Sequence, residues 1–166
     1  MIFQHTYEKV LSGEKTQTRR LIKPNDITSG VYDRNGYRLI RSGGPVRDGI
    51  PYKVFHSDAP FTVRRKWIPG HTYKVQAART EKGIGCIQVT GVRKEDVRNI
   101  CWQDARAEGF YSQLGFWLTW CKIHDKSVLP LLENAPNVPY AQSILLNSSH
   151  DCYQAWVIEF ELVKLL

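Results

Sequence analysis

The stretch SGEKTQTRR, from Ser12 to Arg20, concentrates cationic and hydroxyl side chains directly behind a glycine. A lysine, two threonines and two arginines fall within six residues: Lys15, Thr16, Thr18, Arg19 and Arg20. Ammonium and guanidinium groups bind phosphate and carboxylate oxygens. A hydroxyl becomes a nucleophile once a base removes its proton. The combination predicts a site that holds a polar ligand and could attack it.

The residues after this glycine are typical of a strand from Thr18 to Ile22, which ends before Pro24. Side chains alternate along a strand, so Thr18 and Arg20 are expected on one face and Arg19 on the other. We therefore expect Arg20 to line a ligand cleft. The same alternation leaves the direction of Arg19 relative to that cleft open, and Arg19 and Thr16 stay candidates for ligand contact.

The rest of the chain combines helix and strand patterns. The predicted elements are a helix behind Thr6, strands at 72–78 and 84–92, helices at 102–108 and behind Ser112, a helical turn at 128–132, and a terminal strand in AWVIEFELVKLL. Glycine- and proline-rich segments at about 24–66 and 126–151 are interpreted as insertions. Within the first, Asn35-Gly36 predicts a hairpin.

Length and composition bound the class of protein. At 166 residues, 42% of them hydrophobic, the chain can bury one core and is too short for two comfortable domains. MIFQHTYEKV lacks the apolar stretch of a secretory signal, and no window approaches the roughly 18 apolar residues of a membrane span. We expect one domain, residues 1–166, in a cytoplasmic protein with no membrane partner.

The cysteines and histidines give no metal-binding pattern. The cysteines form no CxxC pair, and no HExxH motif occurs. Without a secretory signal, free thiols are favoured over disulfides. We expect neither a metal nor another cofactor; the four cysteines are Cys86, Cys101, Cys121 and Cys152.

Four motifs in order resemble the ASCH family, the activating signal cointegrator homology domain of the PUA-like superfamily. They are VLSGEKTQTRRLIKP, PGHTYKV, VTGV followed by DARAEGF, and the terminal WVIEFE. The resemblance covers most of the chain outside the two insertions and is closest in layout to longer phage and bacterial members. It implies an α+β fold, with a small mixed β-barrel flanked by short helices and a cleft that binds RNA or a nucleotide.

Small bacterial members of that family share a GxKTxTxR motif and hydrolyse N4-acetylcytidine with a lysine, a threonine and a distant glutamate. The resemblance places these roles on Lys15, Thr18 and Glu108, and the final arginine of the motif on Arg20. A metal-independent amidohydrolase needs a nucleophile, a base and an acid for the leaving amine, which Thr18, Lys15 and Glu108 would supply. Lys15 is a base only when neutral, so its pKa must fall by roughly three units from about 10.4.

The residues also fit a plainer interpretation. Lys15 can be a solvated loop lysine, Thr16 and Thr18 ordinary strand residues, and Glu108 a surface helix acid paired with Arg106 or another base. Other members of the family are reported as ribonucleases, and many have no assigned activity. Two alternatives to amidohydrolysis therefore stay open: a non-catalytic reader of RNA or modified bases, and a ribonuclease that uses the same basic cleft.

The charge distribution favours a polyanionic partner, namely RNA or a nucleotide. The net charge is +7, and residues 1–98 contain 19 Lys and Arg against 9 Asp and Glu. Basic side chains next to aromatic rings can hold phosphates and stack bases. The candidate contacts are the basic run Arg64, Arg65 and Lys66, and the rings of Trp67, Tyr73 and Trp102. Trp67 could equally anchor the core, and the basic run could be a solvated strand edge.

Overall fold

The chain forms both strands and helices. The computed structural model describes residues 1, 3, 6–23, 26–27, 40–41, 44–45, 52–55, 62–65 and 67–165. For those of them that lie between 27 and 65, it describes the backbone alone. The strands are β1 (Gln17–Leu21), β2 (Asp26–Ile27), β3 (Ile40–Arg41), β4 (Gly44–Pro45), β5 (Tyr52–Phe55), β6 (Thr62–Arg65), β7 (Thr72–Val75), β8 (Gly85–Asp96) and β9 (Gln154–Leu165). The helices are α1 (Tyr7–Leu11), α2 (Trp102–Ala107), α3 (Gln113–His124), α4 (Leu129–Glu133) and α5 (Val138–Leu146).

Four of these strands form an antiparallel sheet in the order β1-β9-β8-β7. In the part of the chain described, β1 and β7 are its two edges and do not pair with each other, so the sheet is open. The α+β class is confirmed. The expected mixed barrel is replaced, among these residues, by an open antiparallel sheet.

The terminal strand β9 lies in the middle of this sheet, between β1 and β8. Trp156, Val157 and Ile158 are fully buried, although they point alternately to the two faces. Both faces of the sheet are therefore covered. One buried cluster includes Ala155 and α3, and the other includes Phe160, Phe3 and Val75.

The helical segment from 102 to 124 forms as its caps predict. Ser112 accepts a hydrogen bond from the amide of Gly115, and α3 buries Trp117 and Cys121 in the core. Cys101 takes the N-cap position of α2, where its sulfur accepts from the amide of Asp104 at 3.4 Å. A thiol thus fills the position that serine usually holds.

The segment 126–151 contains more regular structure than its prolines suggest. Besides a 3₁₀ turn at Lys126–Val128 and helix α4, it forms the nine-residue helix α5, which the sequence did not predict. Leu132, Ala141 and Leu145 pack into the same cluster as α3. In the segment 24–66, β2 pairs with β5 and β5 with β6. The predicted Asn35-Gly36 hairpin lies outside the described residues.

Candidate functional site

A cleft of about 960 Å³ opens between β1, the C-terminal end of α2 and the face of α3. Lys15, Thr18 and Glu108, which lie far apart in sequence, all line it, together with Arg20. They meet because the loop before β1 hydrogen-bonds to the end of α2, where the amide of Thr16 donates to the carbonyl of Ala107 at 2.8 Å. The residues that the sequence proposed as catalytic thus share one cavity.

Lys15 and Glu108 form a buried ion pair at the base of this cleft. Lys15 Nζ lies 2.5 Å from Glu108 Oε2 and 2.7 Å from the backbone oxygen of the same residue. Lys15 is 4% exposed and Glu108 is 3% exposed. The solvated lysine and the surface acid of the plainer interpretation are therefore not what the structure contains.

The chain turn after α2 fixes the position of Glu108. Glu108 is the C-cap of α2, and Gly109 follows with a φ of +87°, in the left-handed region that favours glycine. A Cβ at Gly109 would meet Lys9 Cδ at 3.0 Å. Any larger residue at 109 would combine backbone strain with a close contact beside Glu108.

Burial determines the direction in which the pKa of Lys15 is shifted. Desolvation is the largest effect and lowers the pKa of Lys15 from its ordinary value of 10.5. The Glu108 carboxylate opposes this shift, whereas Arg20 and Arg19 add to it, and the net pKa is lowered. The direction is the one that a lysine needs to act as a base.

Thr18 and Arg20 share one face of β1, as alternation predicts, and both line the cleft. Thr18 is 6% exposed, and the guanidinium carbon of Arg20 lies 5.9 Å from the centre of the Phe3 ring. Trp67 also lines the cleft, and its φ of 41° is unusual for a residue other than glycine.

Arg19 also lines the cleft, although it stands between Thr18 and Arg20 in β1, and its side chain reaches toward α2 and α3. Its side chain is 1% exposed, and its guanidinium contacts three carboxylates. Nη2 lies 2.8 Å from Glu95 and 2.9 Å from Asp104, and Nη1 lies 3.3 Å from Glu108 Oε1. The ring of Phe116 lies 5.7 Å from its guanidinium carbon. Arg19 therefore sits behind Glu108 within an ion-pair network.

Other candidates from the sequence lie away from the cleft. The Thr16 side chain is exposed and does not line it, and Tyr73 packs in the core, where its hydroxyl accepts from the amide of Ile68. Trp102 is exposed on α2, also outside the cleft lining. The side chains of Arg64 and Arg65, and the whole of Lys66, lie outside the described residues.

Helix α3 contributes an aromatic wall that sequence reasoning missed. Phe116, Trp120 and His124 lie one turn apart and all line the cleft, with ring centroids 5.9 Å and 4.5 Å apart in that order. Burial lowers the pKa of His124. The signal was present in the sequence as aromatic residues at i, i+4 and i+8, but the same pattern is typical of a helix that faces only core.

A second, smaller recess of about 450 Å³ adjoins the cleft. Phe110 lines both cavities, and the recess also carries Lys9, Arg106 and Tyr111. Tyr111 is 87% exposed, and Lys9 Nζ lies 4.8 Å from the centre of its ring. Glu14 is the acidic member of this lining. The recess thus combines an exposed ring with two cations.

Two further properties concern metals and membranes. Among the residues described, no group of three or more His, Cys, Asp or Glu side chains could hold a metal ion. No helix in the same part of the chain has both the length and the apolar character needed to cross a bilayer. The four cysteines are free thiols.

No protein-family model matches the chain, and no curated protein matches it. The solved structures that resemble it include the following two. Protein EF3133 from Enterococcus faecalis V583, family-model DUF984, has a TM-score of 0.49 at 15% identity, with 98% of this chain and 72% of that one covered. The other has a TM-score of 0.46 at 16% identity, with 95% and 70% covered. That second structure, from Lactobacillus crispatus JV V101, is an ASCH domain, the family that the sequence motifs resemble.

Proposed function

We propose that the cleft binds RNA or a modified nucleoside and that it hydrolyses N4-acyl cytosine compounds. The observation that carries this proposal is the convergence of Thr18, Lys15 and Glu108 on one cavity, with the last two paired at 2.5 Å and buried. The residues are also those that the ASCH resemblance assigns to amide hydrolysis. The aromatic wall of α3 supplies apolar area on which a base could rest.

The chemistry starts with one proton transfer inside the ion pair. If the proton on Lys15 Nζ moves to Glu108 Oε2, the pair becomes a neutral amine and a neutral acid without a change in total charge. The amine then removes the hydroxyl proton of Thr18 as its oxygen attacks the amide carbon. Arg20 faces the same cavity and would stabilise the oxyanion.

Collapse of the tetrahedral intermediate breaks the bond between the carbonyl carbon and N4 of the base. Glu108 gives its proton to the departing nitrogen, and the acyl group stays on Thr18 as an ester. A water molecule, deprotonated by the Glu108 carboxylate, attacks this ester. The carboxylic acid is released as Thr18 recovers its proton from Lys15. Glu108 then returns the proton that it took from water to Lys15, which restores the ion pair.

The test is turnover of N4-acetylcytidine, followed by chromatography of cytidine. Thr18→Val removes the nucleophile and keeps the shape of the side chain, so release of cytidine is expected to fall by at least about 100-fold. Thr72→Val, at an exposed position of β7, is the matched control and should retain the activity of the parent. Equal turnover by the two variants, or none by the parent protein, would refute the proposal.

A second candidate function is the reading of RNA without catalysis. It is favoured by the recess beside the cleft, because an exposed tyrosine flanked by Lys9 and Arg106 suits a base and its phosphate. A reader would bind RNA with a marked dependence on salt and release no product. The ribonuclease alternative, in contrast, predicts shortened strands from the same binding reaction.

A further inference from the structure

The ion pair of the proposed site is the inner end of a longer chain of charges. Lys15 contacts Oε2 of Glu108, whose Oε1 contacts Arg19. Behind Arg19 stand Glu95 and Asp104, both of which also contact Arg93. Charges of opposite sign therefore alternate from the cleft to Arg93, whose side chain is 40% exposed.

The geometry of Arg19 divides its contacts unequally. Its Nη2 is shared between Glu95 at 2.8 Å and Asp104 at 2.9 Å, whereas Nη1 reaches Glu108 at the longer distance of 3.3 Å. Two carboxylates thus hold the guanidinium in place, and its remaining edge faces Oε1 of Glu108. The planar fork of arginine suits this arrangement because its donors point in fixed directions.

We propose that Arg19 is a positioning residue: it fixes the Glu108 carboxylate with Oε2 on Lys15, and Glu95 and Asp104 hold Arg19 for that purpose. This inference rests on the proposed function of the site. It gives Arg19 a role distinct from the ligand contact expected from the sequence. The GxKTxTxR pattern leaves position 19 open, so the role belongs to residues of this chain.

The network also determines how readily Lys15 loses its proton. The charged groups around Lys15 are Glu108 from the end of α2, Arg19 and Arg20 from β1, and Lys9 from α1, whose Nζ bonds the carbonyl of Gly109. Removing Arg19 takes away one positive charge and leaves carboxylates uncompensated, which stabilises the ammonium form of Lys15. Neutralising Asp104 acts in the opposite direction, since it removes a negative charge from the same network.

The experiment measures the protonation of Lys15 directly, without substrate. Protein with carbon-13 in the lysine ε-carbon is titrated by NMR, and the Lys15 signal is assigned from Lys15→Arg. In Arg19→Met the pH at the midpoint of the Lys15 titration should rise by about one pH unit or more, and in Asp104→Asn this midpoint should fall. Because each unit changes the neutral fraction about tenfold, the pH profile of kcat/KM should move in the same directions.

Arg98→Met is the matched control, because Arg98 also binds a carboxylate, Asp96, but does not line the cleft. It should leave the midpoint of the Lys15 titration unchanged.

A merely structural role for Arg19 would give a different result. Arg19→Met would then lower the free energy of unfolding but leave the midpoint of the Lys15 titration in the folded protein unchanged, and that result would overturn the inference. If Arg19→Met does not fold, Asp104→Asn decides alone. A parent protein without turnover would refute the proposed function, while the titration would still test Arg19.

Discussion

At the scale of single residues, the central feature is a lysine, Lys15, that is buried beside the Glu108 carboxylate and near two arginines. Burial penalises the ammonium form, and one ion pair does not fully offset that penalty, so the pKa of Lys15 is lowered. The unfolded chain carries no such penalty. Folding therefore favours release of a proton from Lys15.

This coupling predicts a pH-dependent contribution to stability. Between the lowered pKa of folded Lys15 and its ordinary value of 10.5, the unfolded chain binds more protons, so the free energy of unfolding should rise with pH. Urea unfolding of the parent and of Lys15→Met across this window measures the effect, and the stability of the parent relative to the variant should grow toward alkaline pH. Lys82→Met, at an exposed position, controls for loss of one positive charge. A difference in the free energy of unfolding between the parent and Lys15→Met that stays constant across this pH window would contradict the prediction.

Sequence reasoning reached some of these residues and not others, for physical reasons. Alternation along β1 placed Thr18 and Arg20 toward one cleft, because the direction of a side chain in a strand is a local property, and it left Arg19 open. Arg19 lines the same cleft, at the edge strand β1. The partners of Arg19 are not local, since Glu95 and Asp104 lie 76 and 85 residues away. Only the register of the folded sheet and the docking of α2 bring them together.

At the scale of elements, a buried carboxylate connects the end of α3 to the residues that precede β9. Asp125, which follows α3, accepts hydrogen bonds from Ser127 Oγ at 2.5 Å and from the Tyr153 hydroxyl at 2.6 Å. Burial alone would raise the pKa of Asp125, but bonds from Ser127 and Tyr153 together lower it. The carboxylate links the end of α3 to the turn that leads into the central strand.

Tyr153→Phe is expected to destabilise the protein by about 1 to 3 kcal/mol, because it removes a buried hydrogen bond to a charged group. Urea unfolding at neutral pH measures this loss, and Tyr140→Phe, on an exposed ring of α5, should have almost no effect. The folded pKa of Asp125 lies below 3.8, so its stabilisation is present above 3.8 and lost below it. The difference in the free energy of unfolding between the parent and Tyr153→Phe should therefore shrink in that acidic range. Equal stabilities of the two phenylalanine variants would refute this role of Asp125.

Helix α5 shows that a helix can be missed when its prolines are interpreted only as residues that interrupt helices. Asn137 caps this helix by accepting from the amide of Tyr140 at 2.9 Å, and Pro139 lies within the first turn, where its missing amide hydrogen costs nothing. The sequence Asn-Val-Pro thus contained a helix start. In contrast, Ser112 was recognised because an apolar stripe followed it. Caps without such a stripe are easily missed.

At the scale of the whole molecule, the positive charge lies mainly in the first 98 residues, while the recess beside the cleft draws on both halves of the chain. Lys9 comes from α1, and Arg106 and Tyr111 come from the two sides of the turn that positions Glu108. Phe110 lines both this recess and the cleft. Because the two cavities share this residue, we expect a strand that places one base in the cleft to contact the recess as well.

Binding of single-stranded RNA at several salt concentrations separates charge from stacking in this recess. Arg106→Gln should reduce the slope of log affinity against log salt by roughly 0.7, because one phosphate contact is lost. Tyr111→Ala should weaken binding by about 1 to 3 kcal/mol at every salt concentration, because a base loses its stacking partner but no charge changes. Lys82→Gln removes an exposed charge elsewhere and should preserve both slope and affinity. If Arg106→Gln and Tyr111→Ala behave like Lys82→Gln, the recess does not bind RNA.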